Sequence, residues 1–270
     1  YKKGLHLIPT PHCNEREFIA AIKRIGENLN EQSKPLLLPV NDTYVRTLAS
    51  HWDELSSVYD PLFETNVETL DTITNKLEFS KFCAAHGIPR PAEYTIIDIK
   101  EGKASYPIIF KPDERNTIEN MRNSVFKVKI ANTESEALTF IEFLEENQIN
   151  VIIQQLIPGG DDELYTAGVS AMNGKLLGCF TGRKVRQFPP TAGQAAWAEA
   201  VACPKIIEYA RTIVEKSNFT GLSQIEFKHH QGEYYVIEMN PRSWSWHGLA
   251  KPAGVDLPKI LVDAYNGEEP

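Results

Sequence analysis

Glu226, Glu238 and Asn240 are the residues whose types and spacing specify chemistry most directly. They sit in two alternating runs, Leu222 to His229 and Glu233 to Asn240, joined by the turn-like His230-Gln231-Gly232. In the first run Ile225 and Phe227 are apolar while Gln224, Glu226 and Lys228 point the other way. In the second Tyr235, Ile237 and Met239 are apolar while Glu238 and Asn240 point opposite. If both apolar faces meet the core, Glu226 and Glu238 become neighbours on one sheet face. Facing carboxylates repel unless a cation lies between them. Mg²⁺, or Mn²⁺ in its place, suits this set, because it takes carboxylate and amide oxygens and shares its remaining positions with phosphate; Asn240 supplies the amide. A solvated strand face is the alternative.

The elements that must position these groups follow from periodicity. Gly4 to Ile8 reads as a strand, Asn14 to Asn30 as a helix with Phe18, Ile22, Ile25 and Leu29 on one face, and Lys34 to Val40 as a second strand, an α/β rhythm. A helix runs from about Val67, with Thr74 able to cap it, to Gly87-Ile88-Pro89, and a boundary falls near Pro89 and Pro91. Strands are expected at Thr95 to Ile99, Tyr106 to Phe110, Val125 to Ile130 and Val151 to Gln155. Between them come a polar stretch, Pro112 to Asn123, and a helix, Glu134 to Gln148, with a Thr133/Glu136 capping box. Leu164 to Met172 and Leu176 to Arg186 form a hairpin about Asn173-Gly174, and Lys205 to Ser217 is a helix.

Composition narrows the function classes. Lys and Arg number 28 against 36 Asp and Glu, a net charge of -8, which argues against a dedicated binder of nucleic acid or anionic lipid. No run approaches the roughly 20 apolar residues of a membrane helix. The four cysteines, Cys13, Cys83, Cys179 and Cys203, lie far apart with no C-x-x-C pair, and a reducing cytoplasm fits them. The chain opens at Tyr1 without a methionine, so further residues are expected before it.

Glu238-Met239-Asn240-Pro241-Arg242 resembles the metal-binding motif of the ATP-grasp superfamily, to which carbamoyl phosphate synthetase, biotin carboxylase, D-alanine ligase and D-aspartate ligase belong. Three other segments resemble the family in the same order: Asn75-Lys76-Leu77-Glu78-Phe79 with Gly87-Ile88-Pro89-Arg90-Pro91, then Tyr106 to Pro112, then Val151 to Gly159. The resemblance covers about residues 70 to 260. It implies an α+β ATP-grasp fold whose two lobes clasp ATP, preceded by a partial α/β pre-ATP-grasp domain. The expected boundaries are 1–90 for that domain, 91–155 for the small lobe and 156–270 for the large lobe carrying the metal site.

The resemblance also implies roles. Lys111 would reach the nucleotide phosphates and Lys76 would touch the nucleotide, against snorkelling or surface lysines as the alternative. Backbone groups of Gln154, Gln155 and Leu156 would read adenine, with Asp161 and Glu163 accepting from ribose hydroxyls. Glu226, Glu238 and Asn240 would hold the metal. Arg183 and Lys184, in a basic run with Arg186, would neutralise the transferred phosphoryl group, and Arg242 would orient the acceptor and steady an acyl phosphate. His247 is a candidate for proton transfer. Asp113 to Ser124 lacks the family's glycines, leaving Arg115, Arg122 or Lys127 to grip phosphate.

The implied reaction is ATP-dependent activation of a carboxylate as an acyl phosphate for attack by an amine, giving an amide, ADP and phosphate. Partners are then a small carboxylate and a small amine, with homo-oligomerisation left open. Two alternatives stand beside it: a phosphotransferase on the same fold, and a degenerate nucleotide-binding regulatory or scaffold protein.

Overall fold

The computed structural model describes residues 4, 6–29, 33–112, 126, 128–189 and 193–268. The expected glycine-free loop, with Arg115, Arg122 and Lys127, lies outside them.

The first part of the chain is mostly helical: α1 (Glu15–Leu29), β1 (Leu36–Leu37), α2 (Asp42–Ser50), α3 (Trp52–Leu55), β2 (Asp60–Pro61), α4 (Val67–Thr74) and α5 (Lys76–Ala85). β1 and β2 pair in parallel, so the α/β rhythm is present, but Lys34 to Val40 yields only two strand residues and 6–8 yields none. The expected helix from Val67 is two helices. Asn75, not Thr74, makes the break: it ends α4 in an extended conformation and its side chain accepts from Leu77 N and Glu78 N to cap α5. These helices have no core of their own. Phe18, Leu48, Leu70 and Phe79 are buried in one cluster with Val169, Ile225 and Phe227 of the large sheet.

A four-stranded antiparallel sheet follows, ordered β3 (Glu93–Tyr94), β6 (Val151–Gln155), β4 (Ile108–Pro112), β5 (Lys129–Ala131), with α6 (Ile96–Lys100) and α7 (Glu134–Glu146) between its strands. Thr95 to Ile99, expected as a strand, is mainly α6. Thr95 and Asp98 form a reciprocal capping box, and two local bonds at a helix start override the strand preference of three isoleucines. At α7, Thr133 accepts from Glu136 N, while the Glu136 carboxylate accepts from Asn132 N (2.7 Å), one residue beyond the expected partner. Ile108 and Phe110 are buried with Ile141 and Leu144 of α7; Ile109 and Lys111 therefore face the other way.

The third part is a five-stranded antiparallel sheet ordered β11 (Glu233–Asn240), β10 (Gly221–His230), β7 (Leu164–Met172), β8 (Lys175–Phe188), β9 (Gln194–Ala200), with α8 (Pro204–Ser217) and α9 (Leu257–Tyr265). Asn173-Gly174 and Gln231-Gly232 make its tight turns with positive φ at both central residues. Alternation divides the sheet. Ala167, Val169, Ile225 and Phe227 pack with α8, while Phe180, Leu222 and Trp244 pack with Leu257 and Leu261 of α9. β9 went unexpected. Among the described residues no helix is long and apolar enough to cross a membrane.

Candidate nucleotide and metal site

A cleft of about 1440 Å³ opens between the two sheets. That exceeds the roughly 300–1,000 Å³ of a single small-ligand pocket and leaves room for a nucleotide and a second substrate. Its floor comes from the β10 face bearing Gln224, Glu226 and Lys228, with Glu238 and Asn240 of β11; Ile109 and Lys111 of β4 form the roof.

The register expected from alternation is present: Glu226 lies directly across from Glu238, and Gln224 from Asn240. A bulge then puts Phe227 opposite Val236. Val236 is therefore the buried partner, and Ile237, expected in the core, lines the cleft instead. On the second strand Tyr234, Tyr235, Val236 and Ile237 form a continuous apolar run, so the sequence does not say which of them faces the core.

The carboxylate pair is surrounded by cations. Lys184 on β8, buried, binds Glu226 Oε1 at 2.9 Å. Burial and the neighbouring Glu238 push the Glu226 carboxyl above its ordinary range, with Lys184 and Arg242 opposing. At Glu238 burial acts upward too, but the net shift is downward. The bond donated by Asn240 Nδ2 (3.0 Å) and the charges of Lys76, Lys111 and Lys184 together outweigh it. Lys111 donates to Gln154 Oε1 (3.0 Å), and burial pulls its ammonium down to about 8, with Lys76 adding repulsion and Glu238 resisting. Lys76, at the start of α5, lines the same cleft.

Two carboxylates and an amide oxygen on one face suit a hard divalent cation. Such a set is short of the six oxygens Mg²⁺ takes and would share the ion with oxygens from elsewhere; among the described residues no group of three or more His, Cys, Asp or Glu side chains converges. Asn240 Oδ1 now accepts from Arg242 Nη2 (3.2 Å), so its amide must turn to offer oxygen to an ion between the acids.

Several expected residues are placed differently. Arg183 points to the other face of β8, half exposed and ion-paired with Glu199, and does not line the cleft; its neighbour Lys184 does, because adjacent strand residues face opposite ways. In the hinge, Gln155 N donates to Ala92 O (2.8 Å) and Leu156 N to Pro107 O (2.9 Å), so these two amides are committed within the small sheet. Gln154 is buried, holding Lys111 and donating to Glu93 (3.4 Å). Asp161 lines the cleft but accepts twice from Gln187, from its backbone N at 2.9 Å and its Nε2 at 2.8 Å. Glu163 lies off the cleft against His229 Nδ1, at 2.7 Å.

Other residues enter the site unannounced. The Lys228 ammonium, on the Glu226 face of β10, grips the carbonyls of Gly159 (2.8 Å) and Gly160, tying the hinge loop to the large sheet. Asp42, at the start of α2, accepts from Arg242 Nε (3.0 Å) and Nη2 (2.9 Å). Alternation placed Lys228 on this face without giving it a role; nothing local marks Asp42. An unbroken chain of contacts thus runs Asp42, Arg242, Asn240, Glu238. Trp244 and Trp246 hold the segment after Arg242 in place. A Cβ on Gly168 would fall 2.1 Å from Trp244 Cη2 and one on Gly182 would fall 2.8 Å from Trp246 Cζ3, so the missing side chains make the slots for the indoles.

No family model matches the chain. The C-terminal section of the carbamoyl phosphate synthase large chain of Methanopyrus kandleri is 28% identical over 232 residues, covering 76% of this chain and 39% of that protein. The carbamoyl phosphate synthase large chain of Archaeoglobus fulgidus is 22% identical over 223 residues, 76% of this chain and 20% of its own. The chain thus spans well under half the length of these curated relatives. Among solved structures, biotin carboxylase of Campylobacter jejuni superposes with a TM-score of 0.70 at 15% identity, over 93% of this chain and 57% of that one. D-alanine–D-alanine ligase of Bacillus anthracis, solved with ATP, gives 0.60 at 17% identity, over 89% and 80%. A cleft between two antiparallel sheets, with paired acids on one wall and a lysine on the other, is therefore carried on the fold these solved structures share, and about three quarters of the chain is similar in sequence to carbamoyl phosphate synthase large chains.

Proposed function

We propose that the chain is an ATP-dependent carboxylate–amine ligase acting with Mg²⁺ or Mn²⁺. The observation that carries this reading is the facing pair Glu226 and Glu238 amid Lys76, Lys111, Lys184 and Arg242. Acids kept together at an electrostatic cost, beneath a lysine whose charge burial disfavours, suit a metal and a polyphosphate that arrive together. The sequence relatives and structural neighbours support the same reaction class. Within it, residues 91–155 and 156–270 act as the two lobes, residues 1–90 as part of a preceding domain, and the four free cysteines suit a reducing cytoplasm.

Glu226, Glu238 and Asn240 would hold the metal, which supplies charge neutralisation at the phosphates. Lys111 and Lys184, with Lys76 nearby, stabilise the phosphoryl group in transfer, a role that leaves Arg183 out. The acceptor carboxylate, oriented by Arg242, attacks the γ-phosphorus and ADP departs with the bridging electron pair. The amine nitrogen then attacks the acyl carbon and phosphate leaves. His247 takes the amine proton: its Nδ1–H donates to Trp244 O (2.7 Å), which leaves the lone pair on Nε2. At the hinge, Ile157, beyond the two committed amides, is the residue whose N–H reads adenine.

Thermal unfolding with ATP, Mg²⁺ and both tests the reading. MgATP at a hundred times its Kd should raise the midpoint by several degrees, from about 2.7 kcal/mol of linkage, and Glu238→Gln should abolish the Mg²⁺-dependent part. No shift at saturating MgATP would end it. Trapping a hydroxamate with hydroxylamine distinguishes acyl-phosphate chemistry from a phosphotransferase.

A further inference from the structure

Beyond Asn240 the cleft ends in a wall that the nucleotide reading does not use. Arg242 and Asp42 stand there as an ion pair, with His247 in the same wall. Asp42 spends one oxygen, Oδ2, on both guanidinium bonds; its other oxygen has no bonded partner among the described residues, and the side chain is 53% exposed. Arg242, only 20% exposed, is held from behind by Ser243 O (3.2 Å) and Asn240 Oδ1 (3.2 Å), so it is fixed where Asp42 is not.

Charge decides what fits. The wall is neutral as it stands, one cation against one anion. A simple monocarboxylate that takes Arg242 from Asp42 leaves the aspartate half desolvated beside a second anion. A simple amine that takes Asp42 leaves the guanidinium unpaired. Each leaves one charge of the pair without its partner. A molecule with a carboxylate and an ammonium on neighbouring atoms exchanges one ion pair for two and leaves nothing unpaired.

We infer that this end of the cleft binds an α-amino acid, its carboxylate on Arg242 and its ammonium on Asp42, and that Asp42 sets the preference for the zwitterion. This rests on the ligase reading above. It makes residues 41 and 42, from the first part of the chain, a part of the acceptor site.

The test measures ADP release from MgATP by the full chain with L- and D-α-amino acids, each beside its deaminated acid and its decarboxylated amine. At least one amino acid should exceed both analogues by about a hundredfold, and Asp42→Asn should bring that ratio to within about threefold while Asp42→Glu keeps a part of it. The ratio is the readout because a general loss of folding or of nucleotide binding lowers both of its terms alike. An MgATP thermal shift with deaminated acids as effective as amino acids, with no amino acid effective, or with the preference intact in Asp42→Asn overturns this inference and leaves the ligase reading standing. Absence of the shift itself overturns both.

Discussion

Lys111 concentrates the conflict between stability and chemistry in one residue. Burial lowers its pKa from 10.5 to about 8, so at neutral pH the folded protein holds an ammonium in surroundings that disfavour it. The unfolded chain binds more protons between pH 8 and 10.5, and stability should rise with pH across that window. Lys111→Met should therefore stabilise the ligand-free protein at pH 7 by up to about 3 kcal/mol, with the gain fading by pH 10.5; urea unfolding at both pH values measures it. The same change should remove the stabilisation by MgATP. Residue types on alternating strands made the shared face of Glu226, Glu238 and Asn240 readable in the sequence, because a side chain's face follows from its position in the strand, whereas Lys111 was marked only by the resemblance of its segment to the family's. Arg183 shows the limit of reading by proximity in the chain, since it and Lys184 are adjacent and face opposite ways. Asp42 was unreadable, lying 200 positions from its partner.

Elements were legible where local bonds and periodicity agree, as in the β10–β11 hairpin and α7, and illegible where a local bond overrides composition. Thr95 and Asp98 turn an isoleucine-rich strand candidate into α6, and Asn75 cuts one helix into two. β9 escaped because Gln-Ala-Ala-Trp-Ala-Glu-Ala has little strand propensity and is held by pairing along β8. The packing of β7 against the Arg242 segment is testable at this scale. Gly168→Ala should force the Trp244 ring out of its slot and cost about 1–3 kcal/mol in thermal unfolding, and Trp244→Phe in the same chain should recover part of that.

At the scale of the molecule, the small sheet and α7 keep a core separate from the one shared by the large sheet and the first helices. The Phe110 ring meets Phe140 edge-on at 5.1 Å inside that smaller core. Phe110→Ala should cost about 3–5 kcal/mol, and hydrogen exchange should show protection lost in β4, β6 and α7 while β7 and β10 keep theirs. The Lys228 clamp on the loop after β6 ties these two cores together across the hinge, while the Asp42–Arg242 pair lies within the larger one. The tryptophans divide along the same lines. Trp244 and Trp246 line the cleft, Trp197 is 57% exposed on β9, and Trp52 packs against Phe63 far along the chain from them. The molecule thus carries its own optical reporter: iodide in the solvent can silence Trp197, and of the emission that remains, from Trp52, Trp244 and Trp246, the part that changes when a ligand enters the space between the sheets is that of Trp244 and Trp246.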